Sequence, residues 1–290
     1  MIFQGNLSKM DAMNTLQNRD ESTVQSFGDE WEEMDQSGLK EKEKLQIFTD
    51  YFSIFPFGKI NDQSVGFDMG CGSGRWATVI APKVEKLYCI DASQKAVEVA
   101  KINLKLFNNV EYMVSSVDST KLKKELFDFG YSLGVLHHVP NTLSAISSCS
   151  ELLKKGAPFL LYLYYAFDNK PKWYKLIWKF SELVRRFVNK TPSNLKSIIT
   201  NIIAVIVYFP LSKIAFFAEK IGFKVNNFPL SYYRDKSFYT MRTDSRDRFG
   251  TPLEKRFTKS EIKEMMQLAS FENISFSESK PYWVVLAYKK

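Results

Sequence analysis

Apolar residues recur along this chain with two alternating periods. Short apolar runs bounded by glycine or polar clusters predict strands at 64–69, 86–91, 110–114, 127–133 and 157–165. Between them, apolar residues three and four apart predict helices at 74–81, 93–106 and 141–155. An earlier helix is predicted at 39–54, with Leu45, Phe48, Phe52 and Phe55 at helical spacing, stopped by Pro56 and Gly58. Before it, residues 1–21 read as a polar, frayed terminus. Strands alternating with helices predict a parallel, doubly wound α/β sheet. A ligand of such a sheet lies outside the carboxyl ends of the strands, where the strand order reverses.

After Tyr165 the alternation breaks. It resumes at a helix over 258–270, where Thr258 and Glu261 have capping-box spacing, and ends in strands at 273–278 and 282–289. Residues 168–257 therefore read as an insertion, a cap on a core made of 59–167 and 258–290, with 1–58 as an N-terminal helical segment.

The cap has two halves. Residues 172–188 place Trp173, Leu176, Ile177, Phe180, Leu183, Val184 and Phe187 on one helical stripe. Residues 197–212 carry no charge, but sixteen residues fall short of the roughly 20 that span a bilayer. The expectation is a helical cap whose apolar faces pack on each other. The alternative is peripheral contact with an anionic membrane surface. The second half is polar and aromatic, with Tyr232, Tyr233, Arg234, Arg242 and Arg248 as candidates to bind an acceptor bearing carboxylate, phosphate or hydroxyl groups. Its bland reading is a surface loop held by its own ion pairs.

Charge sharpens this division. The chain is +8 overall, yet residues 169–224 hold eleven Lys or Arg against two acids, a net of +9. The basicity belongs to the cap. Nothing in it pairs aromatic residues with a basic single-strand groove, so nucleic acid is not expected as a partner. The three cysteines lack paired spacing, and no cluster of His, Cys, Asp and Glu stands at metal-binding distance, so neither disulfides nor a metal is expected. With no apolar run at the N-terminus, a cytoplasmic and at most membrane-peripheral protein is expected.

The chemistry concentrates at residues 65–74, Val-Gly-Phe-Asp-Met-Gly-Cys-Gly-Ser-Gly, followed by Asp91 at the end of the next strand. Glycines at 70, 72 and 74 admit positive φ and keep side chains away from a bound ligand. Asp91 can accept hydrogen bonds from ribose hydroxyls. The pair points to a nucleoside cofactor. Counted from Gly72, the loop also reads G-x-G-x-x-A, the dinucleotide fingerprint, which keeps a nicotinamide oxidoreductase as an alternative. Asp68 tips the balance, because a carboxylate there repels a pyrophosphate and suits a cationic ligand.

Asp68-Met-Gly70-Cys-Gly72-Ser-Gly74 resembles the first motif of the class I S-adenosylmethionine (SAM) dependent methyltransferases, Asp-x-Gly-x-Gly-x-Gly. Residues 126–139, which include Leu133 and the only histidines, His137 and His138, resemble the fourth-strand motif of the branch similar to ubiquinone and menaquinone biosynthesis methyltransferases. Residues 152–162 resemble its turn into strand five, with Ala157-Pro158 where the family often has Gly-Gly. Ser115-Ser116-Val117-Asp118 sits where the family usually has Gly-Asp-Ala, with serine in the acid's place.

The resemblance implies a seven-stranded, mostly parallel Rossmann-like sheet, into which this chain inserts the helical cap. It also implies SAM held by Asp68, Gly70, Cys71, Gly72 and Gly74 at its amino-acid end. Asp91 and Ala92 would hold the ribose, Ser116 and Val117 the adenine, and Leu133 would lie nearby. His137 or His138 is the candidate proton acceptor. The function expected is methyl transfer to a small molecule, by O-methylation of an anionic, sugar-like or lipid-linked acceptor. The alternative of another class is a degenerate SAM-binding module with a structural or regulatory role.

Overall fold

The computed structural model describes residues 18–290. Seven strands, β1 (Val65–Met69), β2 (Lys86–Asp91), β3 (Val110–Val114), β4 (Phe129–Leu133), β5 (Pro158–Tyr162), β6 (Phe271–Phe276) and β7 (Val284–Lys289), form one sheet in the order β3-β2-β1-β4-β5-β7-β6. All neighbouring pairs from β3 to β5 are parallel, and β7 runs antiparallel to both β5 and β6. The strand order reverses between β1 and β4, which opens a crevice at their carboxyl ends.

The sheet is buried on both faces, so its strands read as continuous apolar runs rather than alternating ones. In β5, Phe159 and Leu161 enter one core while Leu160 and Tyr162 enter the other. Helices α5 (Thr142–Leu152) and α10 (Lys259–Leu268) cover the first face through Ile146, Cys149, Ile262 and Met266. Helices α2 (Glu41–Phe52), α3 (Ala77–Ile80) and α4 (Gln94–Asn103) cover the second through Phe48, Phe52, Ile80 and Ala100. The predicted capping box at α10 is formed, with Thr258 and Glu261 each satisfying the other's backbone N–H.

The expected frayed terminus falls mostly on residues 1–17, outside the described ones. From Asn18 the chain is tied down: its backbone N–H donates to Asp118 (2.8 Å) and its amide to the Asn141 carbonyl (2.7 Å). Helix α1 (Glu21–Glu33), capped by Asp20, then crosses α4. Lys95 anchors it through Asp29 (2.9 Å) and Glu32 (2.7 Å). It roofs the crevice.

The cap leaves the sheet after Tyr165 and rejoins it at Phe257, and a bridge between those two residues pins its ends together. It contains α6 (Lys172–Val188), α7 (Ser193–Ile203), α8 (Phe209–Lys220) and α9 (Phe238–Gly250). A π-helical turn at 204–208 joins α7 to α8, so residues Ser193–Lys220 form one helix of 28 residues.

Two expectations fail here. The polar segment is not a surface loop, because α9 is a buried helix at the centre of the cap. Its sequence shows no apolar stripe, since its buried positions include Thr240, Thr243, Ser245 and Arg246. Nor do the apolar faces of 172–188 and 197–212 pack on each other. Both elements lean on α9 instead, meeting it through Val184, Val188 and Tyr208 around Met241 and Phe249. Their apolar faces are left exposed. The uncharged run also belongs to a longer helix, which by length and composition is sufficient to cross a membrane.

Candidate active site

Two adjoining cavities occupy the crevice. The first is built on the turn after β1. Gly70 and Cys71 donate their N–H groups to the Ile90 carbonyl (2.7 and 3.0 Å), which folds the loop back over β2. Gly72 takes φ +52°, and a Cβ there would stand 2.9 Å from the Trp31 indole. Gly74 (φ +74°) is glycine for a different reason, because its Cβ would meet Leu104 of the covering helix layer at 2.8 Å.

Asp91 has two duties. Its carboxylate accepts the N–H of Gly72 and of Ser93, each at 2.9 Å, and so fixes both the glycine loop and the start of α4. Burial pushes its pKa up, and those two N–H groups oppose the shift. Each oxygen accepts one of these bonds, and the residue also lines the cavity.

Gly70, Cys71, Gly72, Asp91, Ala92, Ser116, Val117 and Leu133 all line this cavity. Gly74 and Asp68 do not. Asp68 lies beneath the loop, 1% exposed, with Oδ2 unpartnered, and burial pushes its pKa up to about 8. Ser116 donates to Asp118 (2.6 Å), so an acid stands two residues beyond the place where the family's acid is expected. Sequence reasoning missed the far wall, Phe27 and Trp31 of α1 with Arg75.

The second cavity shares Phe27, Trp31, Arg75, Leu133 and Gly134 with the first. Nine tyrosines line it, from α2, the end of β5, the cap and the turn between β6 and β7. Tyr232, Tyr233 and Arg248 are among its walls. Arg234 and Arg242 are not: Arg234 pairs with Glu219 (2.6 Å), and Arg242 donates to Asn201 (2.8 Å). Arg248 and Arg256 share the buried carboxylate of Glu254, with Arg256 at 2.8 Å. Lys170 and Lys280 also line the cavity. Burial, with Lys170 and Arg234 nearby, lowers Lys280 to about 8.

Asp244 and Asp247 bring negative charge into this cavity. Burial pushes each up to about 6; for Asp247 a hydrogen bond from the Tyr164 hydroxyl opposes the rise and Glu254 adds to it. Their three-residue spacing on α9 was a legible signal, hidden because no helix is predicted there.

The two histidines part company. His138 lines the first cavity, with Phe27 packed edge-on at 4.9 Å. Its Nδ1 lies 2.6 Å from the Leu253 carbonyl, which assigns the proton to Nδ1 and leaves the Nε2 lone pair 3.9 Å from Asp247. Burial lowers its pKa to about 4, so the ring is neutral at pH 7. His137 is fully buried against Tyr164 (3.9 Å between centroids) and lines neither cavity.

The seven-stranded sheet, with a glycine-loop cavity where its strand order reverses, is a Rossmann-like fold. Residues 67–161 match the family described as "Methyltransferase domain". Over 101 residues the chain is 33% identical to ubiquinone biosynthesis O-methyltransferase of Nitrosomonas europaea, covering 34% of this chain and 43% of that one. Over 91 residues it is 34% identical to the protein of the same name from Nitrosospira multiformis, covering 31% and 38%. The chain thus spans less than half the length of these relatives. A solved structure from Bacillus halodurans, assigned as a methyltransferase, superposes with a TM-score of 0.50 at 17% identity, covering 78% of this chain and 70% of that one, a likeness of fold. The cap begins beyond the matched residues.

Replacing Asp91 by Ala is expected to weaken SAM binding by about 1.5–3 kcal/mol, the scale of hydrogen bonds to a charged group. Titration calorimetry measures it. Unchanged affinity would place the ribose elsewhere.

Proposed function

We propose that this protein transfers a methyl group from SAM to a hydroxyl oxygen of a small acceptor held in the tyrosine-lined cavity. SAM supplies a methyl group already activated on a sulfonium, so the protein chiefly aligns the nucleophile and excludes water. The glycine loop and Asp91 would hold the cofactor in the first cavity, with Ser116 and Val117 at its adenine.

The observation that carries the reading is Asp247, a half-buried carboxylate that accepts the Tyr164 hydroxyl and has a pKa of about 6, in a cavity that adjoins the first. A carboxylate of that pKa is ionised at pH 7 yet basic enough to take the hydroxyl proton as the new oxygen–carbon bond forms and the sulfur–carbon bond breaks. The Tyr164 hydroxyl, which donates to Asp247, positions it. His138 itself, lowered to about 4, is the weaker proton acceptor. Lys170 and Lys280 favour an acceptor with an anionic group, such as a phosphorylated or carboxylated sugar or a lipid-linked intermediate.

A second reading has its own support: three acids, Glu30, Asp244 and Asp247, among tyrosines also suit a cationic amine. The test is release of S-adenosylhomocysteine across a panel of sugar phosphates, hydroxy acids, phenols and amines. Turnover confined to hydroxyl acceptors supports the proposal, and turnover confined to amines replaces it with the second reading. SAM binding without any turnover leaves a binding module.

A further inference from the structure

The two outer cap helices are inverted relative to a soluble protein. A surface helix normally buries its apolar face and shows water its polar one. Along Ser193–Lys220 the buried positions are Lys196, Thr200, Ala204, Tyr208, Ser212 and Ala215, a stripe of small and polar residues turned inward. Ile202, Val205, Ile206 and Phe209 are exposed, and only 28% of this segment's apolar window is buried. Helix α6 repeats the pattern. It buries Arg185, which donates to the Thr251 carbonyl (2.7 Å), while Leu176, Phe180 and Phe187 are 69, 68 and 72% exposed.

Two helices packed on the same central helix thus present apolar side chains outward, where soluble monomers rarely leave large contiguous apolar patches. Exposed cations flank it, namely Lys172, Lys179, Arg186, Lys190, Lys220 and Lys224.

We infer that this face of the cap docks on an anionic lipid bilayer, with α6 and the 193–220 helix lying in the interface rather than crossing it. Three observations select that occupant. The apolar side chains match the acyl boundary, and the flanking lysines and arginines match anionic headgroups above it. The 193–220 helix is held against α9 through Thr200 and Tyr208, with Ser245 donating to the Thr200 carbonyl at 2.8 Å, so lipid cannot surround it. A second copy of the chain is disfavoured as the cover, because two segments of net +9 would then face each other. Tyr174 of α6 and Tyr208 also line the acceptor cavity, so the docked face lies beside the place where an acceptor would enter.

The test is vesicle flotation, read without turnover and therefore independent of the proposed activity. Wild type should float with phosphatidylcholine vesicles containing phosphatidylglycerol, and far less with phosphatidylcholine alone. Binding should fade with added salt, and Lys172→Glu and Lys179→Glu should each weaken it by fivefold or more, about 1 kcal/mol per lysine. Phe180→Glu and Ile206→Glu should abolish it while leaving SAM affinity unchanged, which confirms that the variants fold. No flotation at low ionic strength, or flotation unaffected by both glutamate variants, would overturn the inference. So would a dimer in solution that those variants dissociate, which would make the face a protein interface.

Discussion

Replacing Gly72 by Val is expected to abolish SAM binding while leaving the protein folded. Gly72 holds φ +52°, which a β-branched residue adopts only at a cost of about 1–3 kcal/mol. The new Cβ would stand 2.9 Å from the Trp31 indole. Trp31 walls both cavities, so moving it disturbs the cofactor and acceptor sites together. The Gly72 N–H also holds Asp91 at 2.9 Å, and a shifted loop releases the carboxylate proposed to hold the ribose. Calorimetry with SAM, alongside circular dichroism to confirm folding, checks this. Near-normal affinity in a folded variant would remove the loop from the cofactor site.

The second large effect is expected at Asp247. Asp247→Asn should lower the methyl-transfer rate by roughly 10²–10⁴ and spare SAM affinity, since the amide fills the same space but cannot take a proton. The sign of the pH dependence follows from the raised pKa. Below about 6 the wild-type carboxylate is protonated and cannot act as a base, so the rate should climb as pH rises through that value and then level. The limb should vanish in the Asn variant. His138→Asn should cost far less, because that ring accepts at most a hydrogen bond at neutral pH. Single-turnover rates across pH measure all three. If His138→Asn carries the larger loss and removes the limb, the histidine is the base.

The sheet was legible because its signals are local. Each core strand is a short apolar run, each turn carries glycine or an N-cap, and Thr258 with Glu261 marks a helix start without tertiary help. That the loop and Asp91 line one cavity was legible for the same reason, since they come from consecutive elements. Asp68 shows the limit: its position in the motif was plain, but that it lies under the loop is set by packing around β1 and β4. Helix α9 was illegible because burial usually shows as an apolar period, and α9 is buried by polar contacts to α6, α7 and α1. Ser26, for instance, donates to the Gly250 carbonyl (3.2 Å). The tyrosines of the second cavity come from α2, the end of β5, the cap and the β6–β7 turn, so no stretch of sequence announces them. The outward turn of the cap's apolar stripes escaped for a related reason: periodicity identifies an apolar face but not which side the rest of the molecule occupies.

A crystal structure with S-adenosylhomocysteine bound tests the central claim most directly. The ribose should meet Asp91, the adenine should lie by Ser116 and Val117, and the sulfur should sit where Leu133, Gly134 and Trp31 join the two cavities, facing the tyrosines. A ligand outside the 70–74 loop, or a sulfur turned away from the tyrosine-lined cavity, would contradict it.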